Sequence, residues 1–347
     1  MKNLGIVVEY NPFHSGHAGH LTRSKEISGA DSVVAVMSGN FVQRGEPAIA
    51  DKWERTRIAL EAGVDLVIEL PLCFAAASAE VFARGAVALL EKSGVVNCMC
   101  FGSEWGSIAA LREGLFVEDD DFRARLREAL GEGLSYPAAR ARAADVDVPN
   151  TPNNILGIEY LKALDALGSQ IEPLTVPRSP GSAKEVRAEL KKAGGSYADL
   201  DNLSMVLHYI LRSHSAADLR EIADVSEGLE NRLRSCAEGH RLISEIIGAA
   251  KTKRYTYLRL QRAVLHIILG IKEMGGEPQY IRVLGFRRGR ADLLGLLEKR
   301  AELPVVTNLK NASFAMLDYE IRATRLYGLA FPEHRYFNEY TMPIVVV

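Results

Sequence analysis

Four short apolar runs, each closed by a polar or glycine-bearing segment and separated by helical patterns, constrain what this chain can fold into. Residues 4–9 break at Asn11-Pro12 and give way to a helical stretch from Gly16 to about Ser28. Residues 32–37 are β-branched and short, as strands buried on both faces are. Asp51 stands where it would cap a helix to about Ala62, and residues 64–70 follow, ending at Pro71. Residues 78–92 read as an alanine-rich helix and residues 95–101 as a fourth strand. This alternation predicts an α/β domain with a parallel, doubly wound sheet covered by helices. Ligands collect beyond the carboxyl ends of such strands. Residues 11–17, 38–44, 69–71 and Gly102-Ser103-Glu104 all occupy that position, so a single site is expected where they meet.

Residues 106–145 look helical and charged, and the run Glu118-Asp119-Asp120-Asp121 reads as a solvated face. Another helix opens after Pro152, residues 171–176 resemble a strand, and a helix beginning at Gly181-Ser182 ends near Gly194-Gly195. That double glycine is the expected boundary between a catalytic unit, residues 1–194, and a mostly helical unit, residues 195–347. In the second unit, helices are expected over 201–213, 216–223, 229–250, 257–273 and 313–327, with a strand-like run at 280–286.

A chain of 347 residues is comfortable for two domains. Its net charge of −2 means that any nucleic-acid contact comes from a local patch. Cys73, Cys98, Cys100 and Cys236 show no zinc spacing and suit a reducing compartment as free thiols. There is no signal-peptide pattern and no apolar run long enough for a bilayer, so a cytoplasmic protein with no membrane partner is expected.

His14-Ser15-Gly16-His17 is the segment most suggestive of chemistry. Its two imidazoles share a face of a starting helix, whose first amides have no internal partner and favour anions. Such an arrangement suits a nucleoside triphosphate under attack at its α-phosphorus. Zinc ligation is the weaker functional option, because no acidic or cysteine partner lies close in sequence. Ser38, Asn40, Gln43 and Arg44 follow the second strand and offer donors for a carboxylate or phosphate, or form an ordinary polar turn. Lys52 would reach an anion or snorkel. Gly102 would let a nucleoside pack on bare backbone, or merely end a strand. Arg178 through Arg187 place cations and a hydroxyl near a helix start. Lys251, Lys253, Arg254, Arg259 and Arg262, interleaved with Tyr255 and Tyr257, suit an RNA backbone with stacking partners, or a solvated helix face.

Taken together, several segments resemble the tRNA(Met) cytidine acetate ligase family of the HIGH-type nucleotidylyltransferase superfamily. They are Gly5 to His17, Met37 to Pro47, Asp65 to Pro71, Phe101 to Glu104, Pro152 to Gly157 and Lys253 to Thr256. The resemblance implies a Rossmann-like domain followed by a mostly helical tRNA-binding domain. It also implies a ligase that makes acetyl-adenylate from acetate and ATP, then transfers the acetyl group to the wobble cytidine of elongator tRNA(Met). By the same resemblance, His14 and His17 are catalytic. ATP contacts fall to Val7, Val8, Glu9, Tyr10, Asn11, Pro12, Phe13, His14, Ser15, Gly16, His17, His20, Gly102, Asn154 and one or both of Arg178 and Arg187. The acetate pocket falls to Ser38, Asn40 and Gln43, and the tRNA contacts to the basic cluster. Mg²⁺ is expected with ATP. The 178–187 region lacks a clean Ser-Ala-Thr-x-Ile-Arg, which leaves open which arginine meets phosphate. The rival readings are an adenylyltransferase acting on a phosphorylated metabolite and a non-catalytic ATP- and RNA-binding protein.

Overall fold

Five strands form close to where the apolar runs place them: β1 (Asn3–Val8), β2 (Ser32–Ser38), β3 (Leu66–Leu70), β4 (Cys98–Ser103) and β5 (Glu172–Pro177). The computed structural model describes residues 1–115, 120–134, 136–143, 151–178 and 183–347. The expected helix start at Gly181-Ser182 and the acidic residues Glu118-Asp119 lie outside the described residues. The strands run in the order β5-β4-β1-β2-β3, and every neighbouring pair among them is parallel. From β1 the chain winds outward to β3, then returns across β1 to lay down β4. The crevice where that order reverses, between the ends of β1 and β4, is where a doubly wound sheet takes its ligand.

The connecting helices start where their caps dictate. The Asp51 carboxylate accepts from the amides of Trp53 and Glu54, opening Lys52–Glu61. The Ser78 hydroxyl opens Ala79–Lys92, whose Phe82, Ala86 and Leu90 pack on the sheet. Cys98 and Cys100 are buried free thiols, as expected.

The sheet does not end at β3. A sixth strand, β6 (Ile281–Phe286), pairs antiparallel with β3, and β7 (Val305–Val306) and β8 (Val345–Val346) both run parallel to β6. The expected parallel, doubly wound sheet is present in β1 to β5, and this antiparallel pairing extends it beside a buried charge. Arg282 on β6 is buried, and beside β3 its guanidinium lies 3.0 Å from Glu69 and 2.6 Å from Glu339. Residues from 281 onward thus complete the sheet, although they follow the helical segment in sequence.

The helices Ser204–Ser213, Leu229–Gly239, Ile243–Ala250 and Tyr257–Leu269 pack around a second apolar core containing Leu207, Leu233, Ile246, Ile247, Leu260 and Val264. The helix expected over 229–250 is in fact two. The chain turns extended at His240, and the Glu245 carboxylate caps the second helix by accepting from the Arg241 and Leu242 amides. Ala315–Leu329 joins the two cores, with Leu317 and Ile321 in the first and Leu326 and Tyr327 in the second. Among the described residues, no helix is long and apolar enough to cross a membrane.

Candidate active site

The backbone leaving β1 makes a tight turn. Tyr10 adopts φ +46°, Asn11-Pro12 is cis, and His14 then caps the helix Ser15–Ser28. A non-glycine residue in the left-handed region carries strain that its surroundings must hold. Here the Tyr10 ring is clamped between Phe13 at 4.8 Å and His17 at 5.0 Å. From below, the buried Arg55 guanidinium donates to the carbonyls of Glu9 at 2.7 Å, Ser38 at 3.1 Å and Ala50 at 3.0 Å, and also to Gly39. One side chain therefore ties the exits of β1 and β2 together, satisfying carbonyls that neither strand can pair.

Above this turn lies a cavity of about 320 Å³ at the β1/β4 crevice. Of the residues expected to bind nucleotide or acetate, Val7, Val8, Glu9, Tyr10, His14, Gly16, His17, His20, Gln43, Gly102 and Arg178 all line it. The His14 and His17 rings stack at 3.8 Å. The Gly16 amide donates to His14 Nδ1 at 3.0 Å, so Nδ1 is unprotonated and the neutral ring carries its proton on Nε2. Burial, reinforced by Arg178, lowers the His14 pKa. Burial pushes His17 down to about 3, with His14, His20 and Arg178 adding to the effect, and takes His20 to about 4 with help from Arg23. These imidazoles are neutral donors, and among the described residues His17 Nδ1 is buried without a hydrogen-bond partner.

Glu9 is anchored on one side only. Its Oε1 accepts from the Gln43 amide at 2.7 Å and lies 3.5 Å from the Ser38 hydroxyl. Burial raises its pKa, and nearby Glu46 adds to the rise against the pull of Gln43, Arg55 and Arg44. Arg178 stands half exposed at the rim, 3.7 Å from Glu104.

Other expected residues lie elsewhere. Asn11 braces the turn, its side chain accepting from the Ile49 amide at 2.8 Å and its carbonyl from Arg187 at 2.6 Å. Arg187 lies 3.6 Å from Glu46 and faces a separate groove beside the helical core. Pro12 and Phe13 shape the turn, and Ser15 opens the helix. Asn40 points into the interior, donating to Thr324 at 3.0 Å and accepting from the Lys52 amide at 2.9 Å. Asn154 is buried behind the cavity wall, where Oδ1 accepts from the Glu104 and Trp105 amides at 3.0 and 3.2 Å.

In the basic cluster, Arg254 pairs with Glu227 at 2.6 Å and Arg259 lies 3.8 Å from the same carboxylate. Arg262 is mostly buried near Asp224, its backbone only 2.8 Å from where a Cβ on Gly45 would sit. The Tyr255 hydroxyl is tied to the Glu227 carbonyl at 2.8 Å, and the buried ring offers no stacking platform. Lys251 and Lys253 are exposed.

Sequence reasoning missed the apolar wall of the cavity, formed by Phe82, Phe101, Leu156 and Tyr160. Leu156 and Tyr160 are four apart on the helix Pro152–Leu167, a spacing that could have revealed them. It also missed the fate of Lys52. The anions that Lys52 reaches belong to the protein and not to a ligand: its side chain is fully buried, 2.5 Å from both Glu69 and Glu339. The available signal was Glu69 itself, a charge inside the apolar strand Leu66–Leu70.

Comparison with known proteins agrees with this geometry. A model of the HIGH nucleotidyl transferase family matches residues 1–192 and 179–340. The tRNA(Met) cytidine acetate ligase of Acetivibrio thermocellus is 39% identical, and that of Clostridium perfringens 37%, each over the whole of both chains. Among solved structures, Thermotoga maritima TmcAL bound with α-thio ATP superposes with a TM-score of 0.89 at 33% identity, covering all of both chains. The apo form of that protein superposes with a TM-score of 0.92 at 32% identity.

Proposed function

The chain belongs to the HIGH nucleotidyltransferase family and, within it, to the tRNA(Met) cytidine acetate ligases, and we propose that its cavity makes acetyl-adenylate and passes the acetyl group to the wobble cytidine of elongator tRNA(Met). The observation that carries this reading is the stacked, neutral His14–His17 pair at the mouth of a helix, in the crevice where the strand order reverses. An acetate oxygen attacks the α-phosphorus of ATP and pyrophosphate leaves. His14 Nε2–H, His17 and the first amides of the helix donate to the charge that develops on the α-phosphate. Arg178, at the rim, meets the outer phosphates, whereas Arg187 supports the Asn11 turn. Gly102 leaves bare backbone beside His20 for the nucleoside.

Gln43 bounds the acetate side of the cavity. Ser38 and Asn40 serve it indirectly, through Glu9 and through the Lys52 amide. Mg²⁺ enters on the triphosphate. Among the described residues no group of three acidic, histidine or cysteine side chains stands ready to cage it, which suits an ion that keeps water and phosphate as most of its ligands. Lys251, Lys253 and Arg254 are exposed cations of the basic cluster that can meet a tRNA backbone, and the reaction belongs in the cytoplasm.

The test is transfer of labelled acetate to total bacterial tRNA, with and without ATP. ATP-dependent label on a cytidine is the expected result. ATP and tRNA binding without label, together with adenylylation of a phosphorylated metabolite, would replace this reading with an adenylyltransferase.

A further inference from the structure

The transfer step needs something that the phosphate machinery does not supply. The exocyclic amine of cytidine is conjugated with its ring and is hardly basic, so its nitrogen attacks a carbonyl effectively only as a proton leaves it. A group that accepts an N–H bond and then the proton must stand within hydrogen-bond reach of the acyl carbon. His14 is a poor candidate, because its Nδ1 is occupied by the Gly16 amide and its Nε2 carries the proton that faces phosphate. His17, with a pKa near 3 in the free protein, is a weak base and lies beside the same phosphate.

Glu9 has the required features. It lines the same cavity as both histidines. The Gln43 amide and the Ser38 hydroxyl hold Oε1, while Arg55 fixes the residue's own carbonyl at 2.7 Å. Among the described residues no group hydrogen-bonds to Oε2, and Glu9 lines the cavity. A carboxylate with one oxygen locked and the other unengaged is oriented for a single further donor. The groups facing it are Glu46 and Arg44 from the loop after β2, Arg55 from the helix below and Tyr160 from the helix opposite. Burial makes it a stronger base than an exposed carboxylate.

We propose that Glu9 Oε2 accepts an N–H bond from the amine of the acceptor cytidine, orients that amine on the acetyl carbonyl and takes its proton, an inference that rests on the acetyl-adenylate reading above. In this step the cytidine nitrogen forms a bond to the acetyl carbon. The bond from that carbon to the phosphate oxygen breaks, AMP departs with the electron pair, and the amine proton passes to Glu9.

The experiment supplies chemically prepared labelled acetyl-adenylate and bacterial tRNA(Met) to the full-length protein, which bypasses the ATP step. Wild-type transfer should rise with pH through an apparent pKa above the ordinary carboxylate value and then level off. Glu9→Gln should cut transfer by about 100-fold and flatten that profile, while Glu9→Asp should keep the rising limb at a reduced rate. Urea unfolding of Glu9→Gln, followed in parallel, reports whether the fold survives. Transfer by Glu9→Gln within threefold of wild type, an unchanged pH limb, or loss of stability in step with transfer would each overturn the role. If the wild-type protein releases no pyrophosphate from ATP and acetate and makes no transfer from acetyl-adenylate, the parent reading falls and this one with it. Wild-type transfer that Glu9→Gln leaves intact removes Glu9 alone.

Discussion

Two polar clusters lie at the ends of strands one apart in the same sheet, with β2 between them, and they are finished in opposite ways. In the cavity beyond β1, His17 Nδ1 and Glu9 Oε2 have no hydrogen-bond partner among the described residues, and burial lowers the pKa of three imidazoles. Beside β3, Lys52 and Arg282 each lie within 3.0 Å of both Glu69 and Glu339, so two positive charges face two negative ones. Glu320 joins this second cluster by accepting from the Leu72 amide, and burial, with Glu69 next, raises its pKa to about 8. Polar groups such as these, in no ion pair among the described residues and lining a cavity, mark the place built for a ligand. Mutual neutralisation marks the place built to hold the sheet to its late strand. Burial alone would not have told them apart.

The sharpest way to break this comparison is to remove one charge from the closed cluster. Lys52→Met leaves two carboxylates facing one guanidinium, and breaking a buried pair costs about 3–5 kcal/mol. Urea unfolding should record a loss of that size, while pyrophosphate release per folded molecule stays near wild type. A variant of normal stability would mean that the cluster is dispensable. The converse change, in the open cluster, is His17→Ala. Adenylate formation should fall by roughly 10²–10³, the usual loss for one preorganised donor to developing charge. Unfolding should shift by less than about 1 kcal/mol, since an orphan nitrogen leaves with the ring. Near-normal pyrophosphate release would remove His17 from the chemistry.

The smallest effect is expected from Glu320→Gln, and it depends on pH. With the folded pKa raised to about 8 against an ordinary 4.5, the folded protein holds a proton there that the unfolded chain releases between those values. The stability linked to this group is therefore complete below about pH 4.5 and declines as pH climbs toward 8. Gln mimics the protonated acid, so the variant should match wild type in melting at pH 5 and exceed it at pH 8. Equal melting curves at both values would place Glu320 outside the cluster's electrostatics.

The parallel half of the sheet is legible in the sequence because each of its strands is a local apolar run with a local cap or turn after it. Gly16 between two histidines is legible for a similar reason, since a helix start needs only its own residues. β6 is not legible as a sheet member. Its partner Leu66 is more than 200 positions away, and no local pattern states that the pairing is antiparallel. Asn40, Asn154 and Arg262 teach the same lesson at the level of single residues. Each has the chemistry to meet a ligand, and each commits at least one polar atom to a backbone amide, a hydroxyl or a carboxylate from a distant segment, although Asn154 Nδ2 has no hydrogen-bond partner among the described residues. Composition shows what such a side chain can bind, whereas packing decides what it does bind. The loop that carries Gln43 is a mixed case. Gly45 has φ +76° and approaches the Arg262 backbone so closely that a Cβ would collide with it, a demand visible only once the helical unit is in place.

The closed cluster also sets a clock. Glu339 is 287 positions beyond Lys52, and β8 follows it. At a synthesis rate of ~5–20 residues per second, Lys52 has left the ribosomal peptidyl site roughly 15–60 seconds before Glu339 is made. Only after Pro177 does the sheet have its first five strands, and it then waits for Arg282 and Glu339 to complete the cluster. A chain shortened between Arg282 and Glu339 would hold two buried cations against the Glu69 carboxylate, whereas one shortened before Arg282 would keep Lys52 and Glu69 paired one to one.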